Sequence, residues 1–184
     1  DIDLPMKHDR VDVAAPVDEV TTDGAADEYL STLLQYWEEE VAGEAFFREL
    51  ADRAEEPHQQ AKLHLLADVE KYTGEFTRPL LDKYGLQPKD LVALCEEGRA
   101  DADHVPQSWA PLIAYMAKGF PDYMPSFYRL EQMAPAEARA ILQRMTEHEV
   151  VAIDFLEAEL KGDPDATAPL LRFLDIKDDK EEAA

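Results

Sequence analysis

Three glutamates fall on or beside apolar stripes of helical period, and their chemistry is the first thing the chain offers. Glu44 follows the stripe Leu30, Leu33, Leu34, Trp37, Val41, Phe47 and Ala51, while Glu70 and Glu149 occupy matched positions in two segments that overlay without a gap. These are residues 61–81 and 140–160, in which Leu63 falls on Leu142, Glu70 on Glu149, Glu75 on Asp154, Phe76 on Phe155 and Leu81 on Leu160. A carboxylate on a core stripe is costly to bury alone, so it is paired, protonated or bound to a cation. On the third long helix, counting back from Glu149 reaches Asp122 or Tyr123. Four such side chains meeting at one level of a bundle would form an oxygen-rich site for hard or borderline metal ions. Tyr72 or Tyr123 would supply a proton or hydrogen bond beside it.

Repeated amphipathic helices of this kind require a bundle. The periodicity predicts helix A over 27–54 and helix B over 59–84, with Pro57 closing the connection, Pro79 bending helix B and Gly85 stopping it. A polar crossing over 85–106 holds one short helix after Pro88, stopped near Gly98. Helix C is expected over 108–133, interrupted by Gly119, Pro121 and Pro125, and helix D over 135–161. A short helix near 169–174 closes the body. Residues 1–26 read as an extended or disordered acidic arm, 27–174 as the bundle and 175–184 as a solvated acidic tail. Two short hairpins joined by one long crossing give an all-α four-helix bundle with a long B–C crossover and a short C-terminal helix.

Composition narrows the function classes. Forty-one acidic residues against 18 basic ones give a formal charge of −23, a field that repels nucleic acid and anionic lipid. A single cysteine, Cys95, excludes an intramolecular disulfide. No apolar run reaches the ~18 residues of a membrane span, and the acidic start lacks the regions of a signal peptide, so a cytoplasmic protein is expected. Trp37, Trp109 and the other aromatic residues exceed what one inner stripe per helix needs, which predicts a homodimer built on a helical face.

Of the five histidines, His8 lies in the arm, His58 at a turn and His104 in a loop, while His64 and His148 fall on helices B and D. His148 directly precedes Glu149, and neighbours on a helix point about 100° apart, so it is expected to face a flanking helix. In the segment GFPDYMP, two prolines four apart remove helical hydrogen bonds beside the acids. Such a kink either opens the bundle to a small-molecule ligand or is a tolerated distortion.

The stretches GEAFFRELADRAEEPHQQAKLHLLADVEKYTGEF and DYMPSFYRLEQMAPAEARAILQRMTEHEVVAIDFLEAEL resemble the ferritin-like superfamily, which includes ferritins, rubrerythrins and di-iron oxygenases. That family carries a Glu on the first helix and Glu-x-x-His on the second, repeated in the second pair. The resemblance maps Glu44, Glu70 and Glu149 onto three of the acids and Asp122 onto the fourth. It implies two iron or manganese ions and an oxygen-dependent oxidase or oxygenase acting on a small molecule. At the two histidine positions stand Thr73 and Ala152. The site therefore holds metal through carboxylates and water, recruits a histidine from elsewhere, or has lost its metal and left a binding or assembly protein.

Overall fold

The computed structural model describes residues 22–181, with side chains over 24–175. The arm expected over 1–26 lies outside the described residues except at its end, which is helical, and so does 182–184. Among the described residues there are seven α-helices and no strand: α1 (Thr22–Arg53), α2 (Pro57–Lys83), α3 (Leu91–Asp101), α4 (Trp109–Gly119), α5 (Met124–Met133), α6 (Ala136–Leu160) and α7 (Ala168–Glu181). Two positions of left-handed backbone mark where helices end, Gly85 at φ +65° and Gly162 at φ +72°. The first helix begins five residues earlier than its periodicity predicts. The last runs to Glu181, through sequence expected to be a solvated tail. None of these helices is long and apolar enough to cross a membrane.

Ion pairs and ring contacts fix how the long segments run. Tyr29 meets Tyr84, and Arg48 reaches Asp68 at 2.8 Å, so α1 and α2 are antiparallel. Lys62 binds Glu159 at 2.8 Å and Lys83 approaches Glu137, which sets α2 antiparallel to α6. Arg129 binds Glu28 at 2.7 Å, and Phe127 stacks on Tyr36, so α5 opposes α1. The order is up, down, down, up, with α4 and α5 together forming the third rod. That rod breaks where the sequence predicts, at a 3-10 turn over Phe120–Tyr123 that contains Pro121 and is followed by Pro125 in the first turn of α5, neither of which has an N–H to donate. By contrast, α2 continues past Pro79 to Lys83.

The core is not one apolar mass. One cluster gathers Phe46, Phe47, Leu50, Leu63, Leu66, Ile113, Met116, Phe155 and Leu156, and a second gathers Tyr29, Leu33, Trp37, Leu81, Phe127, Leu130, Leu142 and Met145. Along α1, α2 and α6, the buried polar residues Glu40, Glu70, Thr73, Thr77, Thr146, His148 and Glu149 fall between the two sets. The break in the third rod comes at the same level, since α4 supplies the first cluster and α5 the second. A polar layer thus divides the bundle across its middle.

The crossover helix α3 is pinned on α1 by a glycine. A Cβ at Gly98 would stand 2.0 Å from the carbonyl oxygen of Ala42 and 2.9 Å from its carbon, so only hydrogen fits between the two backbones. Gly98→Ala should push α3 off α1 and cost about 1–3 kcal/mol, the usual penalty of overpacking, although alanine is the better helix former. Denaturant unfolding of the variant beside the parent measures it. A variant as stable as its parent would show that the two helices are not packed this closely.

Candidate metal centre

Three helices each place a titratable side chain in the polar layer. Glu40 follows Leu33 and Trp37 at helical spacing on the inner face of α1, Glu70 stands on α2, and His148 and Glu149 both point inward from α6. His148 Nε2 lies 3.0 Å from Glu40 Oε2, 3.5 Å from Glu70 Oε2 and 3.8 Å from Glu149 Oε2. Donor atoms of Glu40, Glu70 and His148 all fall within 4.8 Å of one another. His148, Glu149 and Glu40 are all buried, none keeping more than 1% of its side-chain surface exposed. The Phe127 ring stands perpendicular to the imidazole at 5.5 Å between centroids.

The protonation of the imidazole follows from its other nitrogen. His148 Nδ1 is hydrogen-bonded to the carbonyl oxygen of Met145, one turn back on the same helix. A carbonyl only accepts, so Nδ1 carries the hydrogen, and in the neutral ring Nε2 is a bare lone pair. That lone pair faces carboxylate oxygens. The 3.0 Å approach to Glu40 lacks hydrogen-bond direction, and both His148 Nε2 and Glu40 Oε2 are buried without a hydrogen-bond partner. A lone pair among carboxylates requires a cation between them, and a proton or a metal ion can serve.

With protons alone, both groups shift upward. Burial raises the Glu40 carboxyl well above its ordinary value, and the nearby Glu70 charge raises it further, against an opposing pull from His148. For His148, burial works to lower the value, but the negative charges of the nearby Glu40 and Glu70 outweigh it and hold the imidazole well above its ordinary range.

The chain matches no known family model, no curated protein and no solved structure. Its chemistry therefore has to be read from its own donors.

Several expected site residues stand elsewhere. Glu70 and Glu149 do enter the layer, as the overlay of the two segments predicts. Glu44 does not: its side chain is 31% exposed and pairs with Arg48 at 3.2 Å on the outer face of α1. The first acid is Glu40, one turn earlier, because residue 43 is a glycine and the inner face of α1 there receives the Glu70 carboxylate instead. Asp122 is exposed on the 3-10 turn, and the carboxylate that the third rod turns toward the layer is Glu131 on α5, whose half-buried side chain lies beside Thr146 and whose carboxyl is raised above its ordinary value by burial. Tyr72 lies on another face of α2, where its hydroxyl accepts a hydrogen bond from Arg144 at 2.8 Å and its ring packs on Phe76 and Phe173. Tyr123 packs half-buried against the second apolar cluster. Thr73, at the family's histidine position, donates to the Val69 carbonyl at 2.8 Å, and Ala152 packs in the first apolar cluster. A histidine nonetheless lies in the layer: His148, which the sequence expectation turned toward a flanking helix, is buried beside Glu149.

The two raised values fix the sign of the pH dependence. A folded chain that holds protons the unfolded chain releases is stabilised below the unfolded values and loses that stabilisation as pH climbs through the folded ones. In chelator, stability should decline as pH rises from about 4.5, where an unfolded carboxyl titrates, and continue to decline past 6.5, where an unfolded imidazole does. Glu40→Gln keeps the shape and removes one charge, so it should flatten the profile. Unfolding midpoints in urea at pH 5 and pH 8 make the comparison, and a parent that grows more stable toward pH 8 would contradict the arrangement.

Proposed function

We propose that the protein is a metal-binding helical bundle of ferritin-like type, holding one divalent first-row ion, iron or manganese, through Glu40, Glu70, His148 and Glu149. The observation that carries this reading is the orientation of His148: its Nδ1–H is committed to a backbone carbonyl, and its Nε2 is aimed into buried carboxylates, where a proton or a metal ion can sit. Metal-ligating histidines are commonly held this way, through the nitrogen that does not bind. The donor set also argues for the ion. Imidazole is not a usual ligand of calcium or magnesium, and the absence of sulfur from the set disfavours soft ions, leaving the borderline first-row ions, zinc included, among which the ferritin-like resemblance favours iron or manganese.

The up, down, down, up order and acids on the first, second and fourth rods support the ferritin-like reading. Two features set this chain apart from that pattern. Its histidine precedes the paired glutamate instead of following it by three, and its third rod offers a proline-containing turn where a carboxylate is expected. With Glu44 and Asp122 facing outward, the donors suffice for one ion rather than two. When bound, iron or manganese supplies electron transfer, which is the basis for an oxygen-dependent oxidase acting on a small molecule. The chain supplies the ligands, excludes bulk water and holds protons at Glu40 and His148 when no metal is present.

Anaerobic loading of chelator-treated protein with ferrous or manganous ion, followed by gel filtration and elemental analysis, should give about one ion per chain. His148→Ala and Glu70→Ala should lose most of it, while Glu44→Ala and Asp122→Asn should retain it. Metal at about 100 times its dissociation constant should also stabilise the parent by roughly 2.7 kcal/mol. A parent that stays metal-free identifies the cluster as a proton-sharing layer in a binding or assembly protein, and two ions per chain would overturn the single-ion assignment.

A further inference from the structure

Gly43 is in the middle of α1, where a glycine weakens a helix, and no turn or left-handed backbone asks for it there. Its surroundings supply a reason. A Cβ built at this position would stand 3.1 Å from Cδ of Glu70, 3.3 Å from its Oε2 and 3.4 Å from its Oε1. All three atoms of the carboxyl group lie against the glycine, and Glu70 is buried, so the end of a side chain with little room to move occupies the space of the missing one. The same Oε2 approaches His148 Nε2 at 3.5 Å. A methyl group at residue 43 would displace the carboxylate by a few tenths of an ångström, along with one of the distances that define the centre.

We infer that Gly43 is a positioning residue of the metal centre: by having no side chain it lets the Glu70 carboxylate lie against α1, and so sets the separation of the donors from α1, α2 and α6. This rests on the metal-binding reading above. Displacement by a few tenths of an ångström matters because small, ordered sites tolerate little error in donor placement.

The fold provides its own control. Gly74 is also in a helix interior, in α2 beside the same layer, but a Cβ there would meet only Glu40 Cβ at 3.8 Å and Trp37 Nε1 at 4.0 Å, ordinary contact distances. Gly43→Ala and Gly74→Ala therefore add the same methyl group near the same site, but only at Gly43 does it crowd a ligand's carboxyl group; at Gly74 it reaches the Cβ of Glu40 at an ordinary contact distance.

The experiment is an anaerobic titration of the chelator-treated full chain with Co(II), followed by its visible ligand-field spectrum, for the parent and both variants. Gly43→Ala should weaken Co(II) binding about tenfold or more, the usual scale for groups that orient ligands, and should change the spectrum. Gly74→Ala should leave both unchanged. Adding Glu70→Asp to Gly43→Ala withdraws the carboxylate by one methylene and should return part of the lost affinity. Equal affinity and spectra for the parent and Gly43→Ala would overturn the inference while leaving the metal reading intact, as would equal losses in the two alanine variants. A parent that binds no Co(II), Fe(II) or Mn(II) overturns both. Should Gly43→Ala alone not fold, recovery of a folded, Co(II)-binding protein on adding Glu70→Asp supports the contact, and failure to recover it counts against the inference.

Discussion

A histidine with one nitrogen tied to its own helix and the other aimed at buried acids governs the middle of this protein. Taking several ionisable groups out of water costs several kcal/mol each, a cost met only when a cation sits among them. The neighbourhood follows from that requirement. Apolar clusters close both ends of the polar layer, Phe127 packs against the ring, and the hydroxyls of Thr73, Thr77 and Thr146 turn back onto their own helices, donating to the carbonyls of Val69, Thr73 and Leu142. The layer also fixes axial register. Sliding any one of α1, α2 or α6 by a turn of ~5.4 Å would carry a carboxylate or imidazole into an apolar cluster without its partners.

How much of this the sequence discloses depends on how many neighbours each helix has. The long helices are legible because their apolar residues recur at three and four and because Gly85, Pro88, Gly119 and Gly162 punctuate them. Glu70 and Glu149 are legible through the overlay, which holds at Leu63 and Leu142 but ends before Leu160, an exposed residue opposite the buried Leu81. Glu40 is hidden at the end of the run Glu38-Glu39-Glu40, which resembles a solvated face. Its signal is the interval of three from Trp37 and seven from Leu33, and the sequence alone does not say which of residues 40 and 44 takes the inner position. The glycine between them decides it, and its meaning requires knowing that a carboxylate arrives from another helix.

His148 is hidden for a different reason. A helix with one neighbour buries one stripe, and adjacent residues cannot share it. Helix α6 packs against α2, α4, α5 and α7, so its buried surface spans Met145, Thr146, His148, Glu149 and Ala152. Two consecutive polar residues can then both point inward. The same crowding explains why Tyr72 is buried outside the layer: α7 and Arg144 give α2 a second inner face.

The close approach of α3 gives the crossover a connection to the centre of the molecule. Ala42 bears the backbone of Gly98 from one side, and its neighbour Gly43 bears the Glu70 carboxylate from another. Two contacts that leave no room for a side chain thus fall on consecutive residues of α1, two and three positions beyond Glu40. The helix is gripped there like a beam at its fulcrum. The seat of the outer crossover and the seat of an inner carboxylate are one short stretch of α1 backbone.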